Sequence, residues 1–331
     1  MFEILLTIVH SQCLTSRMTV VPKEFGMTNC VFHGFYFEES GGILCLSNVE
    51  SEIEMVSCLF YLCTAYYSGG AIYISNTIGG NNSIKLRNIC ASTCFTIKSY
   101  IDSEFGSFAL VKMKNCPLLE WSYVSILKCS PHTSGVHSST MIQKCNATIS
   151  SLNCSNNKCY AGASMSIFDC IGTNVIYCTF SENKVVYGHN FYFASPSGNR
   201  IIQYCNVVGN NGISYGVMSH QGNSQFMIYK CIFYKNTEIL FCNLWASSYG
   251  GSGVLTISNC FISHSGTTYS SWPGAPFTNI NNAFSLYPTY AYSYFMSFHC
   301  NADIPLSFFG ITNNILLHES FYYVMMSMLL L

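Results

Sequence analysis

Cysteines are the first residues in this sequence whose type and number could do chemistry, because 19 of the 331 residues are Cys. No CxxC pair occurs in the chain. The closest spacings are Cys90 to Cys94, Cys58 to Cys63 and Cys154 to Cys159. Structural zinc sites commonly use short paired spacings, so we predict no metal site. The residue types do not decide whether the cysteines form disulfides or are buried free thiols, so both alternatives remain.

Carboxylates are the groups that a polysaccharide lyase or a glycoside hydrolase would need. Lyases hold Ca²⁺ with acidic residues, and hydrolases use paired carboxyl groups. The chain has only three aspartates, and these are far apart in sequence: Asp102, Asp169 and Asp303. The one dense acidic group is Glu38, Glu39, Glu50, Glu52 and Glu54. A solvated edge is the favoured interpretation of this group and a weak cation site is the alternative, so we predict no catalytic residues.

Tyrosines are the remaining candidates for a binding site. Tyr66 and Tyr67 precede one glycine-containing bend, and Tyr187 precedes another. Tyrosines on a rigid surface can stack on sugars or hold protein contacts in place. We therefore predict Tyr66, Tyr67 and Tyr187 as binding residues, and we predict no cofactor.

The spacing of the cysteines also indicates the elements that position these side chains. One series recurs every 24 to 39 residues: Cys30, Cys58, Cys90, Cys129, Cys154, Cys178, Cys205, Cys231 and Cys260. The pattern apolar, x, apolar, x, x, Cys recurs along the chain, for example with Ile53 and Met55 before Cys58. Alternation with a period of two predicts a strand that buries one face.

A second strand follows each of these cysteines after a polar bend that contains glycine. Examples are GGILCLSN at 41 to 48 and GGAIYISN at 69 to 76. Another pair of cysteines repeats at a fixed offset, since Cys145 follows Cys129 by 16 residues and Cys170 follows Cys154 by 16. Equal offsets predict equivalent places on successive turns of a repeat.

A two-strand unit of about 26 residues cannot bury its own apolar face, so it must stack on its neighbours. We predict an all-β fold, a right-handed parallel β-helix of about nine to eleven turns with an irregular C-terminal cap. Residues 1–24 are predicted to be an N-terminal cap or signal remnant, 25–264 the repeats, and 265–331 irregular aromatic-rich final turns and cap. An antiparallel sandwich is the rival fold, but it gives no reason for the equal offsets.

Composition excludes several classes of protein. Half of the residues are hydrophobic, and only 9% are charged against a usual fraction of about 25%, so the chain is not disordered. The net charge of −1 gives no attraction to nucleic acid. The segment FEILLTIV at 2 to 9 resembles the apolar part of a signal peptide, which predicts an extracellular or cell-surface location. Membrane association would require missing or truncated terminal segments, since the apolar residues 322 to 331 are too few for a span.

Two short motifs resemble those of a known family. Gly69 to Ile72 forms a GGAI motif, and Phe180 to Asn183 and Phe233 to Asn236 form FxxN motifs. The chain resembles the polymorphic outer-membrane protein repeats over residues 25 to 262. The resemblance implies a pectin-lyase-like right-handed β-helix and a role as an adhesin or surface antigen. The sequence departs from the family where the motif is degenerate, as in GGIL at 41 and GHNF at 188.

The sequence thus predicts a non-catalytic cell-surface or secreted β-helix protein that mediates adhesion or interaction. Its expected partners are host or matrix glycans or proteins, and not nucleic acid. The alternative is a polysaccharide lyase or glycoside hydrolase of the pectin-lyase-like fold.

Overall fold

The structure is a computed structural model. It describes residues 7–8, 24–48, 52–77, 79, 82–97, 106–129, 138–160, 164–185, 190–194, 198–212, 217–221, 225–237, 242–245, 254–263, 269–271, 277–280 and 282–284.

Parallel strands stacked turn upon turn make up the described architecture. The register of each pairing joins residues one repeat apart, as where Phe25 pairs with Ile53 and Ile53 with Ile84. No helix occurs among the described residues. The predicted all-β parallel β-helix is confirmed, and the antiparallel sandwich is wrong.

The strands of one turn lie on four faces, which we number 1 to 4 in chain order. Face 1 holds Thr7–Ile8, Glu24–Thr28, Glu52–Val56, Gly172–Ile176, Asn199–Gln203, Gln225–Tyr229, Val254–Ser258 and Phe277–Ile280. Face 2 holds Val31–His33, Leu59–Tyr61, Asn153–Ser155, Thr179–Ser181, Asn206–Val208, Ile232–Tyr234, Phe261–Ile262 and Ala283–Phe284. Face 4 holds Leu44–Ser47, Ile72–Asn76, Met165–Phe168, Phe191–Ala194, Met218–Gln221, Cys242–Trp245 and Tyr269–Ser271.

Three longer strands pass from one face to the next without a break. Ser83–Ser92 runs from face 1 to face 2, and Ser138–Ser150 runs from face 4 to face 1. Gly106–Leu127 covers face 4, face 1 and face 2 in turn. These strands connect the ladders of the N-terminal and C-terminal turns, so the large sheet continues through them.

Face 3 is short and sets the number of complete turns. Its strands form two three-stranded sheets: Tyr36–Phe37, Thr64–Ala65 and Phe95–Thr96, then Lys158–Cys159, Lys184–Val185 and Asn211–Gly212. Among the described residues, about six turns have a strand on every face, fewer than the nine to eleven turns predicted. The prediction counted every cysteine-led repeat as a full turn, including repeats for which no face 3 strand is described.

The core is a set of inward-facing columns that run along the solenoid axis. On face 1 the burial pattern alternates as predicted, with Ile53 and Met55 fully buried and Glu52 exposed. On face 2 the rings of Phe32 and Phe60 stack with centroids 5.0 Å apart. Full burial of such side chains contributes about 1.5–3 kcal/mol each, so each turn is stabilised through its neighbours.

The bend between face 1 and face 2 holds a column of stacked residues, here called the first bend column. Its members are Cys30, Cys58, Ile89, Val124, Leu152, Cys178, Cys205, Cys231, Cys260 and Asn282. Sequence analysis placed Cys90, Cys129 and Cys154 in this series, and that placement is wrong. Cys90 pairs with Leu59, one residue past Cys58, and Cys154 pairs with Phe180 inside a face 2 strand.

The bend between face 2 and face 3 holds the second bend column, in which asparagine replaces cysteine along the chain. Its members are Phe35, Cys63, Cys94, Cys129, Asn157, Asn183, Asn210 and Asn236. The asparagines of both FxxN motifs, Asn183 and Asn236, belong to it. The backbone N–H of Asn157 donates to Asn183 Oδ1 at 3.0 Å, and Asn183 Nδ2 donates to the Cys154 carbonyl at 2.8 Å.

Cysteines contact the equivalent groups in the first bend column. The N–H of Leu152 donates to Cys178 Sγ at 3.4 Å, and this sulfur lies 3.7 Å from the Ile149 carbonyl oxygen. At the C-terminal end of the column, Asn282 takes over, since its Oδ1 accepts from the Cys260 N–H at 2.6 Å. The recurring cysteine is therefore a bend residue that satisfies backbone groups of the preceding turn.

A third column of cysteines lies at the bend between face 4 and face 1. Cys116 pairs with Cys145, and the N–H of Cys145 donates to Cys170 Sγ at 3.3 Å. The predicted equivalence of Cys145 and Cys170 is confirmed.

Candidate functional site

Of the three predicted binding tyrosines, two lie together in the described part of the chain. Tyr66 and Tyr67 follow the face 3 strand Thr64–Ala65, with their rings 4.9 Å apart and nearly perpendicular. Tyr67 is 39% exposed, and Tyr66 is half-buried. Tyr187 lies outside the described residues. The binding role of all three stays a prediction.

A larger aromatic surface lies at the bend between face 1 and face 2 in the C-terminal half. The rings of Tyr177 and Tyr204 are 5.5 Å apart, and those of Tyr204 and Tyr229 are 5.7 Å apart. The Lys230 Nζ lies 5.5 Å from the Tyr204 ring centre and 5.2 Å from that of Tyr229. We call these four residues the tyrosine corner; the name refers to this surface alone and not to the Greek-key motif.

Local backbone geometry points the tyrosine corner outward. Tyr177 and Tyr204 stand immediately before Cys178 and Cys205, and both have a left-handed backbone with φ of 56° and 52°. This conformation turns the chain so that the cysteine enters the core while the preceding side chain faces solvent. Tyr177 is accordingly 45% exposed. The sequence carried a signal for this surface, a tyrosine directly before the column cysteine on successive turns, which sequence analysis did not use.

Lys230 holds a positive charge at the tyrosine corner. Hydrogen bonding to Tyr229, and the electrostatic effect of Tyr204 and Tyr229, raise the pKa of its ammonium group. The lysine is exposed, so it stays charged and hydrated at neutral pH. The corner thus combines aromatic faces with one cation.

The N-terminal half of face 1 is charged, and its charges are paired across turns. Lys85 Nζ bonds to Glu52, and this hydrogen bond is the main reason that the pKa of Glu52 is lowered. Arg87 lies 3.8 Å from a Glu54 oxygen and 3.4 Å from a Glu120 oxygen. Glu52 and Glu54 point outward and pair with Lys85 and Arg87, which favours the solvated edge over the weak cation site. Glu50 lies outside the described residues. Within the described residues no group of three His, Cys, Asp or Glu side chains could hold a metal ion.

A shallow groove runs along the bend between face 4 and face 1. It has a volume of about 620 Å³, and asparagines and glycines make up most of its lining: Asn115, Cys116, Pro117, Asn146, Ile171, Gly172, Gly198 and Asn199. We call it the asparagine groove. None of its lining residues is charged, and Ile171 is 67% exposed at its edge.

Burial makes most of the described cysteines poor nucleophiles, whereas hydrogen bonds with Cys58 and Cys145 lower the pKa of Cys30 and of Cys116, respectively. Fifteen of them are free thiols, and all but Cys45 are buried. Burial raises the pKa of Cys154 and of Cys170 to about 12, so these thiols stay protonated at neutral pH and unreactive. Cys90 is different because it forms a disulfide.

An arginine lies inside the solenoid, which sequence analysis missed. Arg200 occupies an inward position of face 1 and is only 1% exposed. Burial lowers the pKa of its guanidinium to about 10, while the electrostatic effect of Cys170 and Asp169 acts in the opposite direction. Arg200 therefore remains cationic at neutral pH in a column otherwise filled by residues such as Thr173 and Phe226.

Comparison with known proteins identifies no relative: the chain matches no family model, no curated protein and no solved structure. The resemblance to the polymorphic outer-membrane protein repeats therefore rests on the motifs alone. In the described part of the chain, no helix is long and apolar enough to cross a membrane.

Proposed function

We propose that this protein is a non-catalytic binding module, exposed at the cell surface or secreted, that mediates adhesion through the tyrosine corner. Its ligands are host or matrix glycans or proteins. The observation that carries the proposal is the cluster formed by the rings of Tyr177, Tyr204 and Tyr229 beside Lys230, in which Tyr177 is exposed and the other two rings are half-buried. Tyrosines give large contact areas at a low cost in side-chain entropy, which makes them frequent at binding sites.

Rigidity of the underlying bends supports this role. Tyr177 and Tyr204 directly precede buried column residues, and the N–H of each donates to the carbonyl oxygen of the next turn, at 3.3 Å and 3.0 Å. A side chain held by a fixed backbone loses little freedom when a ligand binds. The corner is therefore preorganised for contact.

The alternative, a polysaccharide lyase or glycoside hydrolase, has less support. A hydrolase needs one carboxyl group with a raised pKa to act as an acid. The Glu52 carboxyl has a lowered pKa, and Glu54 and Glu120 lie beside Arg87. Asp102 and Asp303 lie outside the described residues.

Replacement of Tyr177 and Tyr204 by asparagine tests the proposal. Asparagine occupies the equivalent left-handed position in other turns, at Asn29, Asn88 and Asn259, so the backbone conformation is retained. We expect the double variant to lose about tenfold or more in affinity for the ligands that the native protein binds on a glycan array and on immobilised fibronectin.

The matched control is Tyr123→Asn, because Tyr123 is 49% exposed and has the same backbone conformation two turns away. This variant should bind as the native protein does. Equal binding by the native protein and the Tyr177/Tyr204 variant would refute the proposed site. Release of reducing or unsaturated sugar ends from a polysaccharide would refute the non-catalytic role.

A further inference from the structure

Three sequons for N-linked glycosylation occur in the sequence, and the structure distinguishes between them. The motif is Asn-x-Ser or Asn-x-Thr, with any residue except proline at x. It begins at Asn81, Asn146 and Asn153. Asn81 lies outside the described residues. The other two asparagines lie on strands of the solenoid, and their surroundings differ.

The sequon at Asn146 faces outward on face 1. It lies on the strand Ser138–Ser150, in which Ala147 and Ile149 are buried, so the period of two places Asn146 and Thr148 on the outer side. Asn146 is exposed, and Thr148 is half-buried. The folded strand therefore accommodates a sugar on the Asn146 amide without a change in its inward packing.

Neighbouring turns leave room around Asn146. Its register partner on the next turn is Gly172. A Cβ at Gly172 would lie 2.6 Å from Asn146 Oδ1, so a side chain there would crowd the amide. On the preceding turn the register shifts between Cys116 and Leu119, and the exposed Pro117 lies in this irregular stretch. Asn146 therefore stands in the asparagine groove, with open space on both sides.

The asparagine groove fits the first sugars of a glycan attached at Asn146. Its volume of about 620 Å³ lies within the range of about 300–1,000 Å³ that is usual for sites holding a small organic molecule. Ile171 is 67% exposed at its edge, and covering this side chain with the C–H face of a sugar is favourable. The amides of Asn115 and Asn199 offer hydrogen bonds to sugar hydroxyls.

Asn153 lies in the opposite environment. It is fully buried, its Nδ2 donates to Ser125 Oγ at 3.5 Å, and its Oδ1 accepts from Ser155 Oγ at 2.5 Å. The Ser155 hydroxyl is itself part of this sequon. A sugar on the Asn153 amide would have to enter a close-packed region, so a chain modified there cannot reach this fold.

We infer that Asn146 is an N-linked glycosylation site whose glycan covers the asparagine groove, and that Asn153 is unmodified in the folded protein. The sugar donor is an oligosaccharide joined through diphosphate to a polyisoprenoid lipid, and a membrane-bound transferase catalyses the step. Asn146 Nδ2 attacks the anomeric carbon, the bond from this carbon to the diphosphate oxygen breaks, and the lipid diphosphate leaves. A base of the transferase takes one amide proton. The inference rests on the proposed extracellular location, because this transfer takes place in the secretory pathway.

Mass spectrometry of the secreted protein tests the inference. A fused signal peptide directs the full chain into the secretory pathway of a eukaryotic cell. An N-glycosidase acting in heavy-oxygen water then marks each asparagine that carried a glycan. We expect Asn146 to be modified in most molecules and Asn153 in fewer than about one in ten, because burial excludes the sugar.

Two variants of Thr148 separate the sequon from the surrounding surface. Thr148→Ala should abolish the glycan at Asn146, because the motif needs a hydroxyl at this position. Thr148→Ser is the matched control and should retain the glycan. Both substitutions lie at an outward, half-buried position, so neither disturbs the core.

The inference is overturned if Asn146 is unmodified in the secreted protein, if Asn153 is modified as often, or if Thr148→Ala retains the glycan. These outcomes are independent of the tyrosine corner. If the Tyr177/Tyr204 variant still loses binding to glycans or fibronectin, the proposed function survives a failure at Asn146. If that variant binds as the native protein does, both fail.

Discussion

At the bends of this solenoid, cysteine and asparagine contact the same two backbone groups of the preceding turn. Asn183 accepts from the N–H of Asn157 and donates to the Cys154 carbonyl. Cys178 accepts from the N–H of Leu152 and faces the carbonyl three residues before Leu152. A buried backbone group without a partner is destabilising by about 1–3 kcal/mol, so the bend position favours a small side chain that can both accept and donate.

This equivalence predicts a difference between two variants of Asn183. Asn183→Ala removes these two backbone hydrogen bonds, together with the side-chain bonds to Asn157 Nδ2 and Ser164 Oγ, and should lower the free energy of unfolding by about 2–4 kcal/mol. Asn183→Cys should lower it by less than half as much, because the thiol can contact both groups. Denaturant unfolding monitored by circular dichroism measures both values. The control is Asn199→Ala, a substitution at an exposed position. Equal losses of unfolding free energy in Asn183→Ala and Asn183→Cys would contradict the equivalence.

At the scale of elements, the close approach of successive turns explains the GGAI motif. A Cβ at Gly70 would lie 2.2 Å from the Ser107 carbonyl oxygen and 2.5 Å from that of Phe95. A Cβ at Gly42, in the degenerate copy of the motif, would lie 2.1 Å from the Gly70 carbonyl oxygen. The motif therefore marks the bend where backbones of neighbouring turns touch, and it says little about ligand binding.

Two glycine substitutions test this packing. Gly70→Ala should destabilise the protein by about 1–3 kcal/mol or more, because the new methyl group meets backbone atoms that cannot move alone. Gly26→Ala should be neutral or slightly stabilising, since nothing lies within 4 Å of its Cβ position and alanine loses less entropy on folding. Thermal unfolding of both variants provides the measurement. If Gly26→Ala lowers the thermal stability as much as Gly70→Ala does, then contact with the backbone of the neighbouring turn is not the cause of the destabilisation.

For the whole molecule, stability depends on a core in which many thiols must remain protonated. Burial is the largest cause of the raised pKa at Cys63, Cys129, Cys205 and Cys231, as it is at Cys154 and Cys170. Above the ordinary thiol pKa of about 9, the unfolded chain releases protons that the folded chain retains. The unfolded state then binds fewer protons than the native state, so the free energy of unfolding falls as the pH rises.

We expect this loss to begin near pH 9 and to continue towards pH 12, the pKa of Cys154 and Cys170. At pH 10 the raised pKa of each of these two thiols should lower the free energy of unfolding by about 1.4 kcal/mol. Guanidinium unfolding at pH 7.5, 9 and 10 under reducing conditions measures the slope. Cys154→Ser and Cys170→Ser should each make the slope shallower, because a hydroxyl does not titrate in this range. An unchanged slope in both variants would contradict the thiol contribution.

The sequence by itself determined the repeat, the parallel β-helix and the inward side of the strands. The alternation of apolar and polar residues and the spacing of the repeats can both be read from the chain without knowing which turns are in contact. Ile53, Met55 and Phe180 are buried as the pattern required. Only the tertiary structure decided which cysteines share a column. Ile89, Val124 and Leu152 fill positions that sequence spacing gave to Cys90, Cys129 and Cys154, because pairing register follows backbone hydrogen bonds and repeats vary in length. The tyrosine corner likewise needs residues from three turns, whose proximity exists only once the turns have stacked.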